Sequence, residues 1–121
     1  MAYVDGFVLI VPKKNLAAYK KMAKGAGKIW KEHGALAYFE GEGDDMKVTM
    51  GLPFPKLTKA KPTDVVVFSY IVYKNKAERN KVNAKVMKDK RIHELCGGEN
   101  SEMPFNVKNM AYGGFKAMVA L

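Results

Sequence analysis

The sequence predicts an α+β fold: a ferredoxin-like βαββαβ domain with a four-stranded antiparallel sheet, occupying residues 1–121 as a single unit. Three observations lead there. Two segments, Tyr3–Val11 and Val65–Tyr73, are rich in β-branched and aromatic residues and apolar on both alternating faces, as central strands covered on both sides are. Each is followed by a stretch whose apolar residues recur at helical spacing. The order of elements is then β-α-β-β-α-β, in which the first and third strands are the central ones. The chain length of 121 residues suits one domain and is too short for two packed ones.

The first strand closes at Pro12, and its two faces are Tyr3, Asp5, Phe7, Leu9, Val11 and Val4, Gly6, Val8, Ile10. Asn15 is placed to cap a helix from Leu16 to His33. Leu16, Tyr19, Met22, Ala23, Ala26, Ile29 and Trp30 form its apolar stripe. Gly34 is the natural residue beyond its end. Ala35 to Glu42 reads as a less regular second strand, leading into the acidic turn Gly43-Asp44-Asp45, with Lys47 to Met50 extending or pairing with it. Residues 51–62 carry Pro53, Pro55 and Pro62 and are expected to be irregular. The third strand places Ser69, Ile71 and Tyr73 on one face and Phe68, Tyr70 and Val72 on the other. Asn75 with Glu78 three residues on resembles a capping box, opening a helix to about Lys88 with Arg79, Val82, Asn83, Val86 and Met87 inward. A turn over Arg91–Leu95 precedes a break at Gly97-Gly98. The last strand is expected over about Asn109–Leu121, where Gly113-Gly114 suggest a bulge or the close approach of another group.

Two helices cover one side of such a sheet only. The other side carries large apolar residues, so a second chain packed sheet to sheet is expected, giving a two-fold homodimer. The longest apolar runs are far too short for a membrane span, and an acid near the start argues against a secretory leader. With one cysteine, Cys96, and no export signal, a reducing cytoplasm is the expected compartment. The net charge of +9 favours anionic partners. Its lysines, however, lie along the two helices (Lys20, Lys21, Lys24, Lys28, Lys31 and Lys76, Lys81, Lys85, Lys88), where the ordinary role is a solvated face. No RNP-type motif appears on the strands, so nucleic-acid binding is not expected.

Among chemical candidates, Asp5 stands out as an acid inside an apolar strand. Desolvation there would raise its pKa and suit it to acid or base work, while the structural alternative is a hydrogen bond to a backbone amide or to Arg79. His33 reads either as a proton shuttle or haem ligand, or as a histidine answering the helix dipole. Asn83 either ties helix to sheet or faces a ligand, and Ser69, Tyr70, Tyr73 and Trp30 offer polar groups to the same cleft. His93 and Cys96 make too few ligands for zinc, so no metal is expected. No phosphate loop, dinucleotide fingerprint or nucleophile elbow is present, and no cofactor is predicted.

Five blocks together resemble the YbaA-like family of small bacterial proteins, a domain of unknown function within the dimeric α+β barrel superfamily. They are Tyr3-Val4-Asp5-Gly6-Phe7-Val8, Phe68-Ser69-Tyr70-Ile71-Val72-Tyr73, Val82-Asn83-Ala84-Lys85-Val86-Met87, Met103-Pro104-Phe105 and Met110-Ala111-Tyr112-Gly113-Gly114-Phe115. They occur in the family's order over essentially the whole chain. Family members often carry Trp at Tyr70, Asp at Asn106, a basic residue at Asn109 and an acid at Asn80, and this sequence departs from them there. The superfamily implied by the resemblance includes cofactor-free monooxygenases, isomerases, haem- and chlorite-processing enzymes and stress-response proteins. The expectation is a small-molecule site lined by Asp5, Trp30, His33, Ser69, Tyr70 and Asn83, with a cofactor-independent oxygenase or isomerase as the activity. The alternatives are a non-catalytic stress-response or binding protein, or nonspecific RNA binding through the lysine faces.

Overall fold

A computed structural model describes residues 2–96 and 103–121. Its elements are β1 (Tyr3–Pro12), α1 (Leu16–His33), β2 (Ala37–Glu42), α2 (Phe54–Thr58), β3 (Asp64–Tyr73), α3 (Lys76–Met87), α4 (Lys90–Leu95) and β4 (Ala111–Lys116). The antiparallel sheet has the order β2-β3-β1-β4, which is the ferredoxin-like arrangement. The two segments apolar on both faces are its central pair. Their register sets Asp5 opposite Ile71 on β3 and Gly114 on β4.

Period-two alternation divides the sheet cleanly. Asp5, Leu9 and Val11 of β1 and Val67, Ser69, Ile71 and Tyr73 of β3 turn towards the helices and are buried. Two apolar clusters fill that layer. One joins Ala26, Ile29, Ile71, Tyr73, Val82, Val86 and Ile92. The other joins Leu9, Val11, Tyr19, Ala23 and Val67, and Phe7 packs against both. On the opposite face Phe39, Phe68 and Phe115 remain exposed, Phe68 at 47% and Phe115 at 63%.

Several boundaries differ from the sequence reading, each for a local reason. Lysines 13 and 14 wind into a 3-10 turn with Asn15, whose side chain makes no cap and instead donates to the Pro104 carbonyl at 3.2 Å. Gly34 ends α1 at φ 122°, as expected of a residue without Cβ. Asn75 accepts from the Glu78 N–H at 2.8 Å and caps α3. Lys47–Met50 forms no strand. The proline-rich excursion is not wholly irregular: α2 packs on β1 and β3. The excursion borders the sheet on the side away from the long helices, where Phe54 and Met46 share a hollow with Val66 and Phe68. It covers one end of the back face, and Ile10 and Val66 are buried there. β4 ends at Lys116 because its partner strand begins opposite, at Tyr3. The expected break at Gly97-Gly98 lies outside the described residues.

Candidate functional site

Between the sheet and the helices lies a cavity of about 320 Å3, at the lower end of the range of small-molecule pockets (~300–1,000 Å3). It opens where the two apolar clusters part, and Phe7, Leu9, Met22, Ala26, Ile71 and Phe105 supply much of its wall. The segment after residue 102 closes one side: Met103, Phe105 and Met110 line it, and the Phe105 ring meets Tyr19 edge-on at 5.6 Å.

Asp5 is the acid on the sheet floor of this space, from the central strand β1. Only 1% of it is exposed, because β1 is central and its odd-numbered residues face the helices. Arg79 reaches down from α3, its Nε 3.6 Å from Asp5 Oδ1, too long for a hydrogen bond. Neither atom has another partner among the described residues. The guanidinium is held instead by Tyr3, whose hydroxyl accepts from Arg79 Nη2 at 2.9 Å. Burial raises the Asp5 carboxyl above the ordinary aspartate value of 3.8, and Arg79, then the hydroxyls of Tyr112 and Tyr73, bring it part of the way back. Gly114 is what allows this packing: a Cβ there would stand 2.8 Å from Arg79 Nη2 and collide with Tyr3. The close approach anticipated at the β4 glycines is that of Arg79 and Tyr3.

Beside Asp5 is a polar trio. Trp30 Nε1 donates to the Tyr73 hydroxyl at 3.0 Å and reaches Asn83 Oδ1 at 3.4 Å, while the Tyr73 hydroxyl lies 3.2 Å from the same Oδ1. With its oxygen used twice, Asn83, which also lines the cavity, has its two amide hydrogens left to donate. Burial, and then the charge of Asp5, push the Tyr73 hydroxyl far above the usual phenol range, so it acts as a neutral donor.

Four of the six residues singled out from sequence therefore meet around one space: Asp5, Trp30, Ser69 and Asn83. Two do not. Tyr70 follows Ser69 and so faces the other side of the sheet, where its ring stacks on Phe39 at 5.0 Å. His33 ends α1 away from the cavity, with Nε2 2.8 Å from Asp89 Oδ2. Cys96 lines the cavity, but burial raises its thiol pKa, which disfavours the reactive thiolate. The far wall was not anticipated. Glu40 of β2 accepts from the hydroxyls of both Tyr19 and Tyr38. The alternation Tyr38, Glu40, Glu42 is the signal, since it puts all three on the helix side of β2. Among the described residues no group of three His, Cys, Asp or Glu side chains is placed to hold a metal ion, and no helix is long and apolar enough to cross a membrane.

Comparison with known proteins gives family and fold. The family described as "Protein of unknown function (DUF1428)" matches residues 2–107. The chain is 41% identical over 119 residues to "Uncharacterized protein YbaA" of Escherichia coli strain K12, covering 98% of both chains, and equally so to that of Shigella flexneri. Among solved structures, a nipsnap family protein with unknown function from Agrobacterium tumefaciens superposes with a TM-score of 0.55 at 15% identity, covering 96% of this chain and 87% of that one. A dimeric ferredoxin-like protein from an uncultured marine organism gives 0.50 at 14% identity, covering 100% of this chain and 98% of that one. At such identities these structures support the ferredoxin-like fold and nothing finer.

Proposed function

We propose, for a chain that belongs to the DUF1428 family of proteins of unknown function, that it binds a small organic molecule in the inner cavity and that Asp5 moves a proton on it. One observation carries this reading: Asp5, a residue 1% exposed, lines a cavity, and its Oδ1 has no hydrogen-bond partner among the described residues. Leaving such an acceptor unmet costs about 1–3 kcal/mol, and a donor on a bound molecule would recover it. The reaction class that fits is isomerisation. Asp5 takes a proton from a carbon next to a carbonyl, and the bonding pair passes to the carbonyl oxygen as an enolate. Asn83 stands ready to donate to that oxygen. Where a double bond is conjugated with that enolate, Asp5 then gives a proton back at the far end of it, so that the double bond moves and no atom is gained or lost overall.

Isotope exchange tests this. Lactones and cyclic enones are incubated with the protein in D2O, and loss of the α-proton is followed by NMR. The wild type should catalyse exchange on at least one of them, and Asp5→Asn should be slower by about 100-fold or more while keeping its fold. Exchange that survives Asp5→Asn removes the residue from the chemistry.

The same proposal includes a homodimer. Val4, Val8, Phe68, Val72 and Phe115 share the sheet face that α2 leaves largely open, and a neighbour of like fold is described as dimeric. A continuous apolar face of this kind is usually an interface. Sedimentation at micromolar concentration should give a dimer, and a 13.5 kDa species would sink that part of the reading.

A further inference from the structure

A second concavity lies outside the first. It is an open groove of about 850 Å3 between α1 and β2, and Tyr19, Ala23, Tyr38 and Glu40 line both spaces. These four residues are the boundary between bulk solvent and the cavity that holds Asp5. Glu40 stands at its centre, with Oε1 accepting from Tyr19 and Oε2 from Tyr38. The boundary is thus made of side chains, which can move aside by rotamer change without disturbing the backbone.

The solvent side of the groove is basic. Lys20, Lys24, Lys28 and Lys31 follow one another along α1, one per turn. Two of them are committed: Lys20 pairs with Glu42 at 3.1 Å, and Lys31 donates to the Leu36 carbonyl at 2.8 Å. The groove acid Glu32 is taken by Arg91 at 2.6 Å. Lys24 and Lys28 form no ion pair among the described residues. Four residues apart, they are neighbours on one helix face.

From this arrangement we infer that the ligand is an organic anion, with its apolar body passed between Tyr19 and Tyr38 into the inner cavity and its carboxylate left in the groove on Lys24 and Lys28. The inference rests on the small-molecule reading of the inner cavity and names the ligand class for it. The two spaces demand such a division. The cavity, walled by Met22, Ala26, Ile71 and Phe105 and already holding the acids Asp5 and Glu40, would take in a further carboxylate at great cost, whereas the groove keeps it in water beside two ammonium groups. The net charge of +9 draws anions to that mouth.

The test uses 4-phenylbutanoate and its neutral counterpart 4-phenylbutanamide, titrated into the whole chain. The chain has a single tryptophan, and it lines the cavity, so Trp30 emission reports on occupancy. The acid should bind about tenfold more tightly than the amide at low salt, as two exposed ion pairs allow. That preference should shrink with added salt and disappear in the Lys24→Gln/Lys28→Gln variant, whose changes lie on an exposed helix face. Equal binding of acid and amide overturns the anion inference and leaves the cavity reading standing. A preference that survives the double substitution places charge recognition elsewhere, at Arg79 for instance, and overturns it too. If neither compound alters Trp30 emission or the melting temperature, the cavity reading fails and takes this inference with it.

Discussion

Two aspartates of this chain sit beside arginines and respond in opposite directions. Asp89 begins α4, where its carboxylate accepts from the Arg91 N–H at 2.9 Å, from the Arg91 guanidinium at 3.1 and 2.9 Å, and faces His33 at 2.8 Å. Those bonds, Arg91's first and His33's next, hold its carboxyl well below the ordinary range. Asp5 has its arginine at 3.6 Å, lacks a partner on Oδ1, and is raised by burial. Both acids have a cation nearby, so the cation does not decide the outcome. Solvent and the number of short donors decide it. Asp89 is a structural clasp between α1 and α4. Asp5 is an acceptor left wanting in a cavity, which is where acid–base chemistry is found.

The two aspartates diverge most visibly when the arginine beside Asp5 is removed. Arg79→Met leaves Asp5 buried without a counter-charge, and the expected loss is about 3 kcal/mol at neutral pH, read by urea denaturation. The deficit should shrink as the pH is lowered and Asp5 takes up a proton. In the Asp5→Leu/Arg79→Met variant most of the loss should vanish, because no charge is left stranded. A loss below about 0.5 kcal/mol in Arg79→Met would mean that the pair contributes nothing and the contrast with Asp89 is empty.

A smaller effect is expected one strand away. Gly114→Ala adds a methyl group where Arg79 and Tyr3 already stand, and overpacking of this kind costs about 2 kcal/mol. Gly113→Ala is the control, since the nearest atom to its Cβ would be 3.9 Å away on Phe115. It should change stability by less than about 0.5 kcal/mol. If the two variants melt together, the site is less tightly packed than its geometry shows.

The two acids should also separate by pH. Asp5 is raised in the folded state, so its contribution is fully present below the unfolded value near 3.8 and is lost as the pH rises through the folded value. Wild type should therefore lose stability relative to Asp5→Asn on going upward from pH 3.8. Asp89 is lowered, so its contribution is present above 3.8 and is lost as the pH falls through the folded value. Wild type should gain on Asp89→Asn with rising pH and converge with it in acid. Thermal melts across the acid range read both slopes, and equal signs would erase the distinction.

How far the sequence carried is clear from single positions. The central strands, α1 and α3 were legible because their patterns are local and long: Val65–Tyr73 and the Asn75 cap lead to β3 and α3 with little shift. The five-residue α2 is not legible, since what stabilises it is packing on β1 and β3, and β1 lies about forty residues earlier in the chain. The end of β4 is hidden for a similar reason. Apolar residues continue after Lys116, but β1 offers them no further partner. At the site, Asp5 stands out in the sequence as an acid among apolar neighbours, with Arg79 as the partner the sequence offers it. Tyr70 cannot share the cleft with its neighbour Ser69, because alternation along β3 sets the two on opposite faces. Glu40 is not legible because a carboxylate on an edge strand looks solvated until Tyr19 of α1 meets it beside its strand neighbour Tyr38.

His33 gives the smallest and most discriminating effect. A histidine near the only tryptophan invites a catalytic role, yet the helix that holds both turns Trp30 inward and His33 towards Asp89. His33→Gln removes one donor from Asp89 and leaves the Arg91 bonds in place. The expected fall in melting temperature is no more than about 2 °C, in keeping with a partly exposed ion pair. Isotope exchange and the Trp30 response to 4-phenylbutanoate should be unchanged. If either were lost with the fold intact, the clasp at Asp89 and the cavity at Asp5 would be one functional unit, and the opposition between the two aspartates would no longer separate structure from chemistry.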